Sequence, residues 1–486
     1  MGQLDRRRFL IGAGATALLF SKGGLAKAVR SGSKPNIIYI LADDLGWGDL
    51  DPYNPYSVVP TPVINRFARQ GMRFTDMHSS DAVCTPSRYG ILTGRYCWRS
   101  RLKKGVLGGY SPNLIEEGRM TVPSMLREAG YYTAGVGKWH LGLGNRPKTD
   151  YTKPLLPGPI SHGFDYYFGI PASLDMKPYL YFENDHVVEQ PTIFDQGRKS
   201  PHGVTWRPGM RAPDFDFPQV LPTLTEKAVD VIHRCSTQGG KPYFLYFAMP
   251  SPHTPWVPLS QYRGKSGAGA YGDYVVETDA MIGKVLDAVK AAGDEENTIV
   301  IVTSDNGALW GIRDIAQYPY RANAEWRGEK ADIWEAGHRI PFLVRWPGHV
   351  PANTVSTAMG SLVDLMGTLA ALLGIDLPPN AAEDSFNELP MWLGKTRKSV
   401  RTSIIDHSNE GMFSIREGYW KLELGLGSGG FSRPRTVEPV PGGVQGQLYN
   451  LKDDPHELHN LWSGRQDIVQ RLTSMLDKAE ASGHTR

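Results

Sequence analysis

Residues 36–44 read Asn-Ile-Ile-Tyr-Ile-Leu-Ala-Asp-Asp, NIIYILADD. Six apolar residues in a row, three of them isoleucine, are closed by two aspartates. A short unbroken apolar run rich in β-branched residues suits a strand covered on both faces, the usual situation in a parallel sheet flanked by helices. Runs of the same kind recur at Tyr132–His140, Tyr243–Met249, Thr298–Asp305 and Ile340–Trp346. Helical patterns lie between them. Val122 to Gly130 ends on a glycine, Leu224 to Cys235 is amphipathic, and Leu362 to Leu373 is strongly apolar. Val275, Thr278, Ile282, Val285 and Val289 fall three and four apart, on one helix face. This alternation predicts an α/β fold with a mostly parallel sheet sandwiched by helices.

Beyond about Asn380 the pattern changes. Ser403-IIDH, Met412-FSIREGYWKLEL and Gln447-LYNL read as shorter antiparallel strands, residues 425–446 as a Gly/Pro/Ser-rich loop, and Ile468 to Lys478 as a closing helix. The expected division is a large α/β domain over 30–385 and a smaller α+β domain over 386–486 carrying an antiparallel sheet. The first 28 residues have an export pattern. Asp5-Arg6-Arg7-Arg8-Phe9-Leu10 precedes an uncharged apolar stretch, and Ala26-Lys27-Ala28 offers a cleavage site. The adjacent arginines favour a twin-arginine route to the periplasm or beyond. An ordinary secretion signal or an N-terminal anchor is the alternative. The apolar core, Leu10 to Phe20, is short of the roughly 20 residues that span a bilayer.

Composition excludes some classes. The 486 residues carry a formal net charge of +3, which gives no bulk electrostatic case for nucleic-acid binding. Cys84, Cys97 and Cys235 are the only cysteines, too few for a disulfide framework and without zinc spacing.

Ligands of parallel α/β sheets bind beyond the carboxyl ends of the strands. Those ends here carry Asp43-Asp44, Lys138-Trp139-His140, Pro252-His253 and Asp305-Asn306-Gly307. Each has a bland reading as a cap, a turn or a loop histidine. Together, two aspartates from one strand end and Asp-Asn from another supply hard oxygens of the kind calcium or magnesium prefers. Lys138 and His140 would share a face if their strand continued through both. Cys84 stands in a polar stretch, Cys84-Thr85-Pro86-Ser87-Arg88, read as a loop.

With these residues in place, the chain resembles the type I sulfatases of the arylsulfatase family. Cys84-Thr85-Pro86-Ser87-Arg88 with Leu92-Thr93-Gly94-Arg95 matches the family's C-x-P-S-R…L-T-G-R signature, and Gly137-Lys138-Trp139-His140 its second signature. Ala42-Asp43-Asp44 and Ser304-Asp305-Asn306-Gly307 match its metal-binding segments. Arg327-Gly328-Glu329-Lys330, running on to Arg339-Ile340-Pro341, matches a further active-site segment, and Leu448-Tyr449-Asn450-Leu451 the C-terminal pattern. The resemblance implies an alkaline-phosphatase-like fold and a sulfuric ester hydrolase. It implies that a formylglycine-generating or anaerobic sulfatase-maturating enzyme converts Cys84 to Cα-formylglycine. The hydrated aldehyde is then nucleophile and metal ligand, beside one Ca2+ held by Asp43, Asp44, Asp305 and Asn306. It also implies that Arg88 and Lys138 stabilise the diol, that His140 is the base for sulfate release, and that His253 and Lys330 contact sulfate and protonate the leaving alcohol. Asp305 is offered as an acceptor of the nucleophile's proton.

The chain departs from the family in reading Glu335-Ala336-Gly337 where Glu-Gly-Gly is frequent, and residues 308–325 match no family segment. That stretch is expected to shape substrate choice. Ser173–Tyr179 resembles exo-acting carbohydrate sulfatases, so Asp175 is a candidate for a sugar hydroxyl, with a loop turn the equal alternative. The basic run Trp98, Arg99, Arg101, Lys103 and Lys104 is either a solvated face or a contact for an acidic polysaccharide. The expected partner is a sulfated carbohydrate. Two rivals stand: a phosphate or phosphonate monoester hydrolase on the same fold, and a non-catalytic sugar-binding protein if Cys84 stays unmodified.

Overall fold

The computed structural model describes residues 34–238 and 240–486; the expected export signal lies outside them. The strand Asn36–Asp43 is buried along its whole length. It pairs in parallel with Thr298–Ser304 on one side and Tyr243–Pro252 on the other. The 11-stranded sheet continues past Thr298–Ser304 to Arg339–Arg345, Met72–His78 and Thr354–Ser356, and past Tyr243–Pro252 to Tyr132–Lys138, Tyr166–Ile170 and two short edge strands. Arg339–Arg345 runs antiparallel to both of its neighbours. Helices Val220–Gln238 and Gly269–Ala291 pack on each other and on Tyr243–Pro252, while Cys84–Thr93, Val122–Glu128 and Leu365–Leu373 form a second group. The α/β fold, with its mostly parallel sheet and helices, is as the sequence predicts.

A four-stranded antiparallel sheet follows, in the order Ser403–His407, Phe413–Glu417, Trp420–Glu423, Gln447–Asn450. Its Ile405, Ile415, Leu422 and Leu448 pack against Leu472 and Leu476 of helix Gln466–Ser482 and against Tyr96 and Trp98 of the earlier chain. Among the described residues no helix is long and apolar enough to cross a membrane.

Where the small sheet meets the large one, a buried polar chain links them. Lys421 Nζ lies 3.1 Å from His338 Nε2, His338 Nδ1 is 2.9 Å from His78 Nδ1, and His78 Nε2 is 2.9 Å from Asp76 Oδ1. His338 Nε2 also lies 3.1 Å from Ile333 O and His78 Nε2 3.3 Å from Arg416 Nη1, so each Nε2 meets both a donor and an acceptor. Burial pushes both imidazoles below their ordinary pKa, in keeping with two neutral rings.

Three elements differ from the expectation. Met72–His78 is a strand that its alternating polar residues concealed. Cys84 is not in a loop: it is the first residue of helix Cys84–Thr93, all of whose residues are buried. The strand expected over Tyr132–His140 stops at Lys138.

Candidate active site

Register brings the strand ends together. Ala42 stands opposite Ser304, and Asp305 N–H donates to Ala42 O at 3.1 Å, so Asp43 and Asp305 leave the sheet side by side. Asp43 pairs with Pro252 on the other flank, which delivers His253. Asp44 and His140 turn away from their strands in left-handed conformations, φ 65° and 57°. Non-glycine residues seldom adopt this region, and such strain concentrates at functional sites. Lys138 and His140 therefore reach the site by different routes rather than on one strand face. Two signature glycines are required by close approach. A Cβ on Gly137 would lie 1.8 Å from Ala248 O, and one on Gly307 1.7 Å from Ala336 O. Ala336, the departure from Glu-Gly-Gly, fits with its methyl buried.

Every residue of the Cys84–Arg88 segment has an architectural task. Thr85 Oγ1 accepts from Leu107 N–H at 3.2 Å. Pro86 sits in the first helical turn, where backbone N–H groups have no partner within the helix. Ser87 Oγ donates to Asp81 O at 2.9 Å. Arg88 forks onto Asp305 Oδ2 through Nε at 3.0 Å and Nη2 at 2.7 Å. Gly94 ends the helix at φ 64°. Cys84 Sγ lies 3.7 Å from Lys330 Nζ, and Asp43, Cys84 and His253 place ligand atoms within 4.8 Å of one another.

Around that sulfur three cations meet three carboxylates. Lys138 Nζ is 2.6 Å from Asp43 Oδ2, Lys330 Nζ 2.7 Å from Asp44 Oδ1, and Arg88 holds Asp305. Lys138 and Lys330 each take one oxygen and leave another, while the second oxygen of Asp305 accepts from Asp44 N–H at 3.2 Å. Asp43 Oδ1, Asp44 Oδ2 and Asn306 Oδ1 are buried with no hydrogen-bond partner, and oxygens of Asp43, Asp44 and Asp305 lie within 4.8 Å of one another. Buried polar oxygens without partners are costly. The approach of the three carboxylates fits one hard divalent cation, and the all-oxygen set suits calcium or magnesium better than zinc. Burial opposes ionisation of Asp43, but Lys138, His253, Arg88 and Lys330 outweigh it and hold its pKa well below the usual range. Burial and the neighbouring Asp43 push Asp305 up to about 7.

The histidine tautomers follow from their partners. His140 Nε2 is 2.7 Å from Leu107 O, and a carbonyl only accepts, so Nε2 carries the proton. Nδ1 is then a bare lone pair, buried and unpartnered. Burial, Lys138 and Arg88 drive its pKa well below 6.5. His253 Nδ1 likewise donates to Thr254 O at 2.7 Å, and Nε2 faces Asp44 Oδ2 at 3.8 Å. Burial lowers Lys330, but Asp44, Cys84 and the other acids more than reverse this, so it stays charged. The Cys84 thiol is pushed up by burial despite Lys138 and Lys330. It is a poor thiolate nucleophile as it stands.

Other candidates are elsewhere or otherwise engaged. Asp175 follows strand Tyr166–Ile170, beyond Pro171, whose carbonyl accepts from His140 N–H at 3.0 Å. Its Oδ2 takes Arg207 Nη1 at 2.5 Å, while its Oδ1 and Ser173 Oγ are buried without partners. Arg99 is committed to Asp384 and Arg101 to the carbonyls of Pro112 and Asn113. Lys103 donates to Trp98 O. Of the three only Arg99 is paired with an acid; Arg101 and Lys103 remain exposed. The stretch 308–325 contains a short helix, Ile312–Gln317, and with Trp47, Trp326 and Arg433 it lines a cleft of about 1140 Å³. The reading from sequence missed the supports behind the site, Asp81 and His407 among them. No motif marks them, because the two side chains meet across 326 residues of chain.

A strand-end cluster of this kind, with a buried cysteine at a helix start, is suited to hydrolysing an oxyanion ester, and the comparisons specify which. The Sulfatase family model matches residues 35–375. N-acetylgalactosamine-6-O-sulfatase of Bacteroides thetaiotaomicron is 35% identical over 93% of this chain and 94% of that protein. Human arylsulfatase A is 33% identical over 96% and 90% respectively. A structure from work on glycosaminoglycan metabolism by Bacteroides thetaiotaomicron superposes with a TM-score of 0.83 at 34% identity, covering 93% of this chain and all of that one. The phosphonate monoester hydrolase of Agrobacterium radiobacter shares the fold alone, with a TM-score of 0.63 at 17% identity. The chain belongs to the sulfatase family and is a sulfatase.

Proposed function

We propose that this enzyme removes sulfate from a sulfated carbohydrate, using Cα-formylglycine at position 84 and one calcium ion. The observation that carries the reading is the approach of oxygens of Asp43, Asp44 and Asp305 to within 4.8 Å of one another beside residue 84, with Asp43 Oδ1 and Asp44 Oδ2 buried and unpartnered. Asp43, Asp44, Asp305, Asn306 and the side-chain oxygen of modified residue 84 would hold the calcium. That ion supplies Lewis acidity and lowers the pKa of a bound hydroxyl. Hydrated formylglycine supplies one hydroxyl to attack sulfur and a second that lets the resulting sulfate ester collapse to the aldehyde, so no water need displace sulfate.

This chain's own residues do the rest. Arg88 fixes Asp305, and Lys138 fixes Asp43, so the oxygens are aimed before substrate arrives. Lys330, which remains charged, binds a sulfate oxygen and spreads developing negative charge. His253 presents Nε2 to the leaving oxygen. An arriving sulfate anion offsets the electrostatic pressure of Lys330 and favours the imidazolium, which donates its proton to the departing alcohol. His140, neutral with Nδ1 bare, takes the proton of the second hydroxyl when sulfate is expelled. Asp305 is a second acceptor near the nucleophile. Asp175 and Ser173, with unpartnered buried oxygens, accept or donate to sugar hydroxyls.

Similarity to proteins named N-acetylgalactosamine-6-sulfatase makes a 6-sulfated N-acetylhexosamine the first substrate to try. Export by the twin-arginine route, with a signal over 1–28, a catalytic domain over 30–385 and a C-terminal unit over 386–486, completes the proposal. The decisive experiment pairs mass spectrometry of the residue-84 peptide from the native host with turnover of matched sulfate and phosphate monoesters. Formylglycine with sulfate preference is expected. An unmodified thiol in active enzyme, or phosphate preference, overturns the reading.

A further inference from the structure

The nucleophile's helix begins after a segment without regular structure, residues 79–83, yet position 84 must be held to a few tenths of an ångström for in-line attack. Asp81 organises that segment. Its carbonyl accepts from Ser79 Oγ at 2.6 Å and from Ser87 Oγ at 2.9 Å. Its Oδ1 accepts from Val83 N–H at 3.2 Å. The remaining oxygen, Oδ2, turns to the small antiparallel sheet, where His407 Nδ1 is 3.3 Å away. Both side chains are nearly sealed from water, at 2% and 3% exposure.

A backbone ladder runs through the same place. Ala82 N–H donates to His407 O at 2.9 Å, Ala331 N–H donates to Ala82 O at 2.8 Å, and Asn409 N–H donates to Ala331 O at 3.0 Å. Ala331 follows Lys330, whose Nζ lies 3.7 Å from Cys84 Sγ, and adopts φ 79°, a strained value for alanine. The last strand residue of Ser403–His407 and the residue two beyond it thus touch both the segment that launches the nucleophile and the segment that carries Lys330. Two parts of the reaction centre, more than 240 residues apart in the chain, are set in register by a third.

We propose that His407 is a positioning residue for catalysis: through Nδ1–H to Asp81 Oδ2 it fixes the entry of helix Cys84–Thr93, so that the C-terminal sheet sets where the nucleophile stands. This rests on residue 84 being the nucleophile, as read above. His407 does not touch substrate. Its loss should leave sulfate binding by Lys330 and His253 in place and misplace the attacking oxygen.

The test compares full-length His407→Ala and His407→Asn with the unaltered enzyme, on an aryl sulfate and on N-acetylgalactosamine 6-sulfate. Rates are expressed per formylglycine, counted by mass spectrometry. The Asn amide can put an N–H where Nδ1–H stands; alanine cannot. The expected result is a kcat about 10²-fold lower in His407→Ala, with KM unchanged, and recovery to within about threefold in His407→Asn. His407→Leu, which keeps the volume, replaces the alanine variant if that one fails to fold. The proposal is overturned if the donor-less variant turns over within threefold of the unaltered enzyme, or if His407→Asn is as impaired as it is. The second result would assign the role to ring packing against Phe413, whose centroid is 4.5 Å away. Failure of the formylglycine reading shows separately, as active unaltered enzyme lacking the aldehyde.

Discussion

Two clusters of charge are buried in this molecule, and they balance themselves differently. One surrounds residue 84; the other surrounds Lys421. In the second, an ammonium sits at the centre. Lys421 Nζ reaches Glu457 Oε1 at 2.8 Å, Ile333 O at 3.0 Å and Glu335 Oε1 at 3.2 Å. Burial pushes Asp406 and Glu423 well above the usual carboxyl range, so protons take up the surplus negative charge. In the first cluster Arg88, Lys138 and Lys330 each bind one oxygen of a carboxylate, and oxygens of Asp43, Asp44 and Asn306 are left without partners. A cluster built around its own lysine holds a fold together. A cluster that leaves buried oxygens unpartnered suits the divalent ion proposed above.

That contrast can be broken by mutation. The largest effect should come from Cys84→Ala, which removes the nucleophile and leaves the fold: turnover should fall by at least about 10⁴-fold, with the melting temperature within a few degrees. Retained activity would contradict the assignment. Asp305→Asn removes a carboxylate charge and strands the Arg88 guanidinium. Breaking a buried pair costs about 3–5 kcal/mol, so calorimetry should report lost stability together with lost activity. Lys421→Met should cost a similar amount yet leave kcat/KM of the folded enzyme within about threefold. A catalytic collapse there would erase the distinction between the clusters.

Calcium withdrawal separates them in another way. A chelator should lower both activity and melting temperature, and added calcium should restore both. A ligand at a hundred times its dissociation constant stabilises by about 2.7 kcal/mol. In the Asp305→Asn protein calcium should shift melting much less, and in Lys421→Met the shift should persist. A smaller effect concerns pH. His78, His140 and His338 have folded pKa values depressed by burial. Below the unfolded value near 6.5 the unfolded chain therefore binds protons that the folded chain does not. Each ring should therefore lower stability as pH drops from there, by up to roughly 1.4 kcal/mol per pH unit, while carboxyls that burial raises, such as Asp305 and Asp406, act in the opposite sense. Urea titrations from pH 7 to 5 of the unaltered enzyme and of His78→Phe isolate one ring: the variant should lose less stability, or gain more, as pH falls, and equal slopes contradict it. Smallest of all, Ala336→Gly should change stability by no more than about 1 kcal/mol and kcat not at all, because the methyl is merely accommodated.

The parts of the molecule legible in the sequence were those with a strong local pattern. Asn36–Asp43 and Thr298–Ser304 are apolar on both faces, so their runs are unbroken. The strand ends then announced Asp43, Asp44, Asp305 and Asn306. Met72–His78 escaped because Arg73 and Asp76 interrupt its apolar pattern; Asp76 is held by Arg339 and Arg416, partners that the sequence cannot reveal. Helix Cys84–Thr93 escaped for a related reason. It is buried on every side and so has no polar face to give a 3.6-residue rhythm, and Pro86 and Gly90 argue against a helix locally. Gly90 is there because a Cβ would lie 2.5 Å from Ser80 Oγ. The path of His140 was misjudged because only tertiary contact, its N–H on Pro171 O, ends the strand at Lys138. Asp81 and His407 left no trace in the sequence, since the two lie 326 residues apart.

The account stands or falls on one gathering of atoms. The most direct measurement is electron density, with anomalous signal from calcium, for crystals of enzyme matured in its native host. The account predicts one calcium at about 2.3–2.6 Å from oxygens of Asp43, Asp44, Asp305 and Asn306 and from an oxygen on the modified side chain of residue 84. An intact thiol at residue 84 in active enzyme, or the calcium bound away from these four side chains, would contradict it.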